Sequence, residues 1–480
     1  MKRRDAIKLV PVSLFGAAGL TSKVFSDNLR YNYPLVDAYK NAKLPTDSKK
    51  PLAIQYTEKV RDMLIWIRET QSENLLEASY AIADTIKSKR TCWYSWDLGH
   101  SIDFDLVQNR NGLPEIFTIG YDPAKTRDGD FFLNNIRGNT EILQDLGVKN
   151  ITMVGSPVPW GSDARDAHFI VRDSAKHRLR PYSDIWIETN IDTIGAIMYI
   201  PGMPAPVGPV SGIIGMVTLW MMVADACRIL ARNGISLPVQ GDEPELPGDT
   251  IPWVSLYDPL MDDYFEQVML QIEMIGAELG DIQRAGEMAV DSLLSGGKVW
   301  GYSQNRMALA VEAQTRRGGL ALTRGIFWNE EKGTITTYDG QPIQISTTDT
   351  VMMGLFEPED DIDLKCLDMF KKSGMKVVSL GPMTRDGKIP DGRTVPKEAD
   401  VHVGRMCDTY GLYAVPGFKR KICPTSGALV NQIFWATCMT IVEEIKRRTG
   451  NVPGVFFSAA VRGGTEHMNR MNEWWKERGY

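Results

Sequence analysis

The sequence predicts an α/β protein made of two doubly wound parallel-sheet domains. Two observations predict this class. Short β-branched runs bounded by Gly, Pro, Asn and Ser alternate with longer helical runs, which is typical of a parallel sheet covered by helices on both faces. The order of these segments also occurs twice along the 480 residues. This length, with 43% hydrophobic residues, is sufficient for two domains that each have a core.

The two copies of the repeat are assigned to residues 56–247 and 258–480. The segments Val207–Ile214 and Ile422–Leu429 share Pro, Ser and Gly at the same places, and both run into long apolar helices. A second set of matches, each 207 residues apart, pairs Asp84, Ser88 and Trp93 with Asp291, Ser295 and Trp300. Collinear matches at a drifting offset indicate a duplication with loop insertions. Ligands are expected where the strands end, near helix N-termini.

The N-terminal segment is interpreted as an export signal, residues 1–27, followed by a linker, residues 28–55. Arg3–Lys8 resembles a twin-arginine signal, although Ala6 occupies a place where a bulkier apolar residue is usual. The apolar stretch Leu9–Leu20 is too short for a stable membrane span. An uncleaved signal that tethers the protein to the membrane is the alternative. Either interpretation predicts a periplasmic or otherwise exported protein that uses export machinery.

The most apolar internal segment, Ile213–Leu230, carries Asp225 and Arg228 in its last turns. A buried core helix is therefore favoured over a membrane span. Cys227 and Cys438 lie in apolar helical runs and are expected to be buried free thiols.

Composition and motifs argue against several classes of function. The net charge of -6 gives no overall attraction to nucleic acid. The six cysteines form no CxxC pair or Cys/His cluster, so no metal site is expected. The sequence has no P-loop, GxGxxG, HExxH or GxSxG motif, which argues against nucleotide hydrolysis, zinc proteolysis and esterase chemistry. No cofactor is expected.

Several segments together resemble the SIS (sugar isomerase) domain family, in particular a bacterial group of phosphosugar-isomerase-like proteins. The segments that carry the resemblance are Thr70–Ser88, Gly99–Ser101, Ile200–Pro204, Val207–Ser211, Pro424–Gly427 and Gly463–His467. The resemblance implies SIS-like domains with flavodoxin-like layers and a site for a sugar or a sugar phosphate. It also implies that the two domains pack as an internal pseudo-dimer, with each site borrowing residues from the neighbouring domain.

The sequence departs from this family at the second phosphate loop, where Ser-x-Ser-Gly is typical. The first copy has Asn134–Asn139 there, which is polar and could bind a sugar or an anion through Arg137. The second copy has Leu355–Glu359, which lacks a hydroxyl and whose glutamates would repel phosphate. These departures favour an uncharged or uronic-type sugar over a phosphosugar.

Candidate ligand-binding residues lie on the loops after the strands and at the starts of the long helices. They are His100, Ser101, Asn134, Asn135, Arg137, Ser211, Ser303, Asn305, Arg306, Thr425 and Ser426. Ser211 and Ser426 are also expected as helix N-caps, a role compatible with ligand binding. The aromatic residues that could stack on a sugar ring are Trp93, Trp96, Trp300 and Tyr302. For Trp93 and Trp300, core packing is favoured.

Isomerisation of an aldose to a ketose needs a base and a group that opens the ring, and the resemblance implies Glu and His for these roles. Glu312, Glu466 and His467 are the candidate catalytic residues. A helix-surface role is the alternative for Glu312, and a solvated helix-start role is the alternative for His467. A surface position is favoured for the remaining histidines outside the loops, which are His168, His177 and His402.

The sequence therefore predicts an exported protein that binds a carbohydrate derivative, with aldose–ketose isomerase activity left open. A non-catalytic sugar-binding or sensing protein is the alternative, and a purely structural partner protein is a second one. A sugar ligand and a further copy of the chain are the expected partners, and no nucleic acid is expected.

Overall fold

The computed structural model describes the two repeat copies with internal gaps. The described residues are 49–95, 106, 112–119, 124–134, 149–154, 183–189, 191, 195–203, 206–241, 245–247, 254–304, 309–314, 316–385, 387–407, 410–456 and 464–480. The predicted export signal and most of the predicted linker lie outside these residues.

The first copy opens with a long helix and closes with a strongly apolar one. Its elements are α1 (Leu52–Lys87), β1 (Cys92–Ser95), β2 (Leu113–Pro114), β3 (Phe117–Ile119), β4 (Phe131–Asn134), β5 (Lys149–Val154), β6 (Ile185–Glu188), β7 (Ala196–Met198), β8 (Val207–Pro209), α2 (Ser211–Arg232) and β9 (Val239–Gln240). Helix α1 begins at Leu52, inside the segment predicted as linker, so the folded part starts before residue 56.

The second copy follows the same plan, with its opening helix divided into two. Its elements are α3 (Leu260–Ala277), α4 (Leu279–Leu294), β10 (Val299–Tyr302), α5 (Leu309–Glu312), β11 (Thr323–Asn329), β12 (Thr334–Thr337), β13 (Thr350–Gly354), α6 (Asp361–Lys372), β14 (Lys376–Leu380), α7 (Val395–Glu398), β15 (Val401–Val403), α8 (Ser426–Thr449) and α9 (Gly464–Glu477).

Each copy has a main sheet with the same strand order. The first sheet runs β3-β1-β4-β5-β6 and the second runs β12-β11-β10-β13-β14-β15. The pairs are parallel except for β11 with β12, which are antiparallel at the edge. With β12 set aside, both sheets have the 2-1-3-4-5 order of a doubly wound, flavodoxin-like fold. The predicted α/β class is confirmed.

A tryptophan and an aspartate are joined in the same way in both sheets. The indole N–H of Trp93 donates to Asp130 at 2.9 Å, and that of Trp300 donates to Asp349 at 2.9 Å. The other oxygen of each carboxylate accepts the backbone N–H two residues before its tryptophan, at 3.0 and 2.9 Å. Both tryptophans are buried, which confirms that they pack in the core.

The closing helices α2 and α8 pass through the centre of the molecule. Of the helices that the structure describes, α2 is long and apolar enough to cross a membrane, yet its apolar window is entirely buried inside the protein. The core-helix prediction is therefore confirmed. Cys227 and Cys438 are buried free thiols, as expected. A single apolar cluster joins residues of both copies, including Tyr56, Trp220 and Trp435.

Candidate functional site

The turns that lead into α2 and α8 have the same backbone conformation. Gly208 and Cys423, which the repeat makes equivalent, have φ angles of 79° and 61°. This left-handed region is costly for a residue with a Cβ atom, and so the shape of the turn is imposed by its surroundings. A Cβ on Gly208 would lie 2.8 Å from the Tyr56 ring.

A tyrosine from the opening helix of each copy fixes the turn that follows. The Tyr56 hydroxyl donates to the Pro209 carbonyl at 2.6 Å, and the Tyr264 hydroxyl donates to the Pro424 carbonyl at 3.1 Å. All four groups are in the interior, where such bonds satisfy carbonyls that water cannot reach. The two helix N-termini are thus placed by equivalent contacts.

The serines at these helix starts are not N-caps, contrary to expectation. Ser211 and Ser426 are the first helical residues, and the cap positions belong to Val210 and Thr425, which make no side-chain cap bond. The Ser211 hydroxyl instead accepts a hydrogen bond from Arg316 at 2.9 Å. The serine side chain is therefore used across the junction of the two copies rather than within its own helix.

A buried polar chain continues from Ser211 into the second copy. Arg316 Nη2 lies 3.2 Å from Glu312 Oε1, and the Trp435 indole N–H donates to Glu312 Oε2 at 2.9 Å. Only 1% of the Glu312 side chain and 11% of the Arg316 side chain are exposed. Glu312 lies on α5, as the sequence predicts, but it is an interior residue held by two neighbours. We call Ser211, Arg316, Glu312 and Trp435 the junction network.

One member of the junction network and one residue near it have polar atoms without partners among the described atoms. Both amide atoms of Asn431 and the Nε of Arg316 are buried without a hydrogen bond. Asn431 is 1% exposed and lies one helical turn before Trp435, on the same side of α8. An unsatisfied buried polar group costs about 1–3 kcal/mol, so a water molecule or a polar ligand that paired with these atoms would be stabilising.

The charges of the junction network act on Tyr56, which lies beside it. Burial, and then the negative charge of Glu312, raise the pKa of Tyr56, while Arg316 opposes this shift. The phenol is therefore neutral at physiological pH and acts as a hydrogen-bond donor to Pro209.

Sequence reasoning missed Asn431 and Arg316. A signal for Asn431 exists, because Asn431 and Gln432 interrupt an otherwise apolar run in α8. Gln432 donates to Thr57 at 3.1 Å and so joins α8 to α1 of the first copy.

Three of the ligand-binding residues predicted in the second copy are buried and contact other residues of the protein. They are Ser303, Thr425 and Ser426. Ser303 is buried, and its hydroxyl accepts the N–H of Ala310 on α5 at 3.1 Å. The buried Thr425 hydroxyl donates to Gln271 at 2.8 Å, and Ser426 is also buried. Thr425 and Ser426 thus belong to the turn before α8 and its first helical residue, whereas Ser303 follows β10.

Glu466 and His467 lie at the start of α9 but face different environments. Glu466 is exposed, whereas His467 is fully buried with Nε2 2.7 Å from the Val455 carbonyl. Burial is the main cause that lowers the pKa of His467 to about 4. The ring is therefore neutral at pH 7 and Nε2 carries the proton donated to Val455. Val455 in turn forms an antiparallel bridge with Leu320, which lies four residues after Arg316 in the chain.

Two predicted roles are wrong. Tyr302 is fully buried, with its hydroxyl 3.0 Å from Asp363 and its ring in edge contact with Phe370, so it cannot stack on a sugar. His402, expected at the surface, is buried, and its Nδ1 lies 2.9 Å from the Ser379 hydroxyl. Neighbouring strands β14 and β15 bring this pair together in the interior.

The other predicted binding residues fall mainly outside the described part of the chain. These are His100, Ser101, Asn135, Arg137, Asn305 and Arg306, together with the side chain of Asn134 at the end of β4. In the second copy, Leu355 and Phe356 are buried and Glu359 pairs with Arg385 at 3.0 Å. Within the described residues, no group of three or more His, Cys, Asp or Glu side chains could hold a metal ion.

No protein-family model matches the chain, and no curated protein matches it. Solved structures with similar architecture exist at low identity. The C-terminal domain of glucosamine-fructose-6-phosphate aminotransferase from Francisella tularensis has a TM-score of 0.43 and 10% identity, covering 85% of this chain and 99% of that chain. Glucosamine-6-phosphate deaminase from Thermotoga maritima has a TM-score of 0.40 and 11% identity, covering 84% and 96%. Likenesses at this level do not assign the chain to a family.

Proposed function

We propose that this chain is an exported SIS-type protein that binds an unphosphorylated sugar derivative where its two copies meet, beside the junction network. The observation that carries the proposal is the set of buried, unpartnered polar atoms at Asn431 and Arg316. Arg316 donates to the Ser211 hydroxyl at the start of a long helix, and Asn431 lies one helical turn before Trp435. Hydroxyl groups of a sugar can both donate and accept, which is what an amide and a guanidinium N–H require.

Charge balance favours a neutral or singly charged ligand. The Glu312 carboxylate lies 3.2 Å from Arg316 and offsets its positive charge, so little net charge remains to hold a phosphate dianion. The N-terminus of α2 adds only a partial positive charge. A uronic-type carboxylate or an uncharged sugar suits this site better than a sugar phosphate.

The bonds of Glu312 and His467 favour binding without turnover. Both carboxylate oxygens of Glu312 are engaged, one by Trp435 and one by Arg316. The Nε2 of His467 is bonded to a backbone carbonyl. A catalytic base must reach the proton it abstracts, so isomerisation would require Glu312 to leave these partners. These contacts reverse the order of the two sequence-based predictions, so non-catalytic binding is proposed first and isomerase activity becomes the alternative.

Thermal shift and titration calorimetry on residues 28–480 test the proposal with glucose, glucuronate and glucose 6-phosphate. A ligand at about 100 times its dissociation constant should stabilise the protein by roughly 2.7 kcal/mol. We expect a shift with glucose or glucuronate and a smaller one with glucose 6-phosphate. A shift only with the phosphate would contradict the proposed ligand class, and no shift with any sugar would contradict the function.

Asn431→Leu links the site to this binding. Because the amide lacks described partners, the substitution should raise the melting temperature of the ligand-free protein while it weakens sugar binding by about tenfold or more. Thr437→Val, which removes a hydroxyl bonded within the same helix, is the matched control and should leave the affinity unchanged. If Asn431→Leu bound the sugar as tightly as the wild type does, the sugar would have to bind elsewhere.

Glu312→Gln separates binding from catalysis. Incubation of the wild-type chain with the bound sugar, followed by NMR of the sugar carbons, should show no conversion of aldose to ketose. Conversion in the wild type that is lost in Glu312→Gln, with binding retained, would establish the isomerase alternative.

A further inference from the structure

A cavity of about 720 Å³ lies at the start of α3, apart from the junction network. The lining residues that bear on its ligand are Asp258, Leu260, Asp263, Leu412, Tyr413 and Lys421. The volume falls within the range of about 300–1,000 Å³ that is usual for small-molecule sites. Its walls come from the connection between the copies, from the first turns of α3 and from the 412–421 segment.

The first turns of α3 form a wall that is fixed in place. Asp263 and Gln267 are separated by four residues and so lie on one side of the helix. The start of the helix is tied down by the buried Asp225, whose carboxylate accepts the N–H of Leu260 at 2.8 Å. Arg228, paired with Asp225 at 2.7 Å, donates to the Leu256 carbonyl at 3.0 Å. One wall of the cavity is therefore anchored by a buried ion pair.

The charges that line the cavity favour a cation. Asp258 and Asp263 contribute two carboxylates, against one ammonium group from Lys421. These two carboxylates would repel an anionic ligand and would attract the ammonium group of a cationic one. The apolar residues Leu260 and Leu412 provide carbon surface beside these charges.

Tyr413 provides an independent polar group in the same cavity. It is 7% exposed, and its hydroxyl is buried with no hydrogen bond of regular geometry among the described atoms. Burial first, and then the adjacent Asp263 carboxylate, raise the pKa of Tyr413, so the phenol keeps its proton. The hydroxyl has a single proton, and the Asp263 carboxylate is the group nearby that would accept it. The lone pairs of the phenolic oxygen remain for a donor such as an ammonium N–H.

We propose that this cavity binds a small organic cation, with its ammonium group between Asp263 and Tyr413 and its carbon chain against Leu260 and Leu412. The ligand differs in class from the sugar proposed for the junction network. The two sites use no residue in common, so either proposal can fail without the other.

Three probes of matched length test the proposal by titration calorimetry on the full folded chain. They are 5-aminopentan-1-ol, pentane-1,5-diol and 5-hydroxypentanoate. We expect the amine to bind at least about tenfold more tightly than the diol, and the carboxylate to bind more weakly than either. The affinity for the amine should fall as sodium chloride is raised. Equal affinity for the amine and the diol would overturn the proposal.

Asp263→Asn and Tyr413→Phe locate the binding. Each should weaken binding of 5-aminopentan-1-ol about fivefold to tenfold. Asp62→Asn removes the same charge from an exposed position on α1, where the side chain is 65% exposed, and should leave the affinity unchanged. An equal loss in Asp263→Asn and Asp62→Asn would show that only net charge matters and would overturn the site. Glucose binding in the same variants should match that of the wild type.

Discussion

His402 and His467 are buried imidazoles that each use one ring nitrogen in a hydrogen bond. Burial is the main cause that lowers the pKa of each to about 4. In the unfolded chain the imidazole pKa is about 6.5. As the pH falls below this value, the unfolded state takes up protons that the folded state does not. The contribution of each histidine to stability is complete above about pH 6.5 and is lost as the pH falls towards 4.

Lowering the pH from 7 to 5 should therefore reduce the free energy of unfolding by about 2 kcal/mol for each of the two histidines. Urea unfolding at both pH values measures the change. His402→Gln should remove its share of the pH dependence, and His467→Gln should remove a similar share. The carboxylates contribute equally to the pH dependence of the wild type and of the variants. The difference in pH dependence between them therefore gives the contribution of the imidazole. An unchanged pH dependence in both variants would contradict the buried neutral state.

The turn before α2 illustrates how an element is placed by its neighbours. Gly208 has a φ of 79°, and its N–H donates to the Gly318 carbonyl of the second copy at 3.1 Å. An added Cβ would meet the Tyr56 ring at 2.8 Å, in addition to the cost of the left-handed conformation. Gly234 has a similar φ of 70° but no atom within 4 Å of an added Cβ.

Gly208→Ala and Gly234→Ala should therefore differ in their effect on stability. Gly234→Ala carries only the conformational cost, about 1 kcal/mol. Gly208→Ala also forces Tyr56 away from Pro209, and it should cost about 3 kcal/mol or more. Urea unfolding of both variants gives the comparison. Equal losses would show that the turn and α1 are not packed as described.

The helices that begin at Ser211 and Ser426 could be predicted from sequence, because Pro-x-Ser-Gly before an apolar run signals a helix start in both copies. The burial of Glu312 and Tyr302 could not be predicted. The local sequence indicates the hydrophobic period of a helix or strand. The residues that contact a given side chain lie far away in the chain, such as Trp435 for Glu312 and Asp363 for Tyr302. For the same reason the partners of Ser211 required the structure.

The two copies share their interior. One apolar cluster contains Tyr56 and Trp220 of the first copy with Tyr264 and Trp435 of the second. Polar contacts also cross the junction, since Gln432 on α8 donates to a threonine of α1 and Arg316 donates to the α2 serine. Separating the copies would expose this apolar surface and leave polar groups such as Ser211 and Thr57 without these partners, which costs several kcal/mol. The folded unit is therefore the pair of copies rather than either one.

Thermal unfolding should consequently occur in one cooperative transition, with the calorimetric enthalpy equal to the van't Hoff enthalpy. Tyr56→Phe and Tyr264→Phe remove equivalent hydrogen bonds from different copies. Each should cost about 1 kcal/mol and lower the same melting temperature by roughly 1–2 °C, because both act on one folded unit. Tyr338→Phe, at a position that is 62% exposed, is the control and should leave the melting temperature unchanged. Two resolved transitions, each lowered by only one of the tyrosine variants, would mean that the copies unfold independently despite their shared interior.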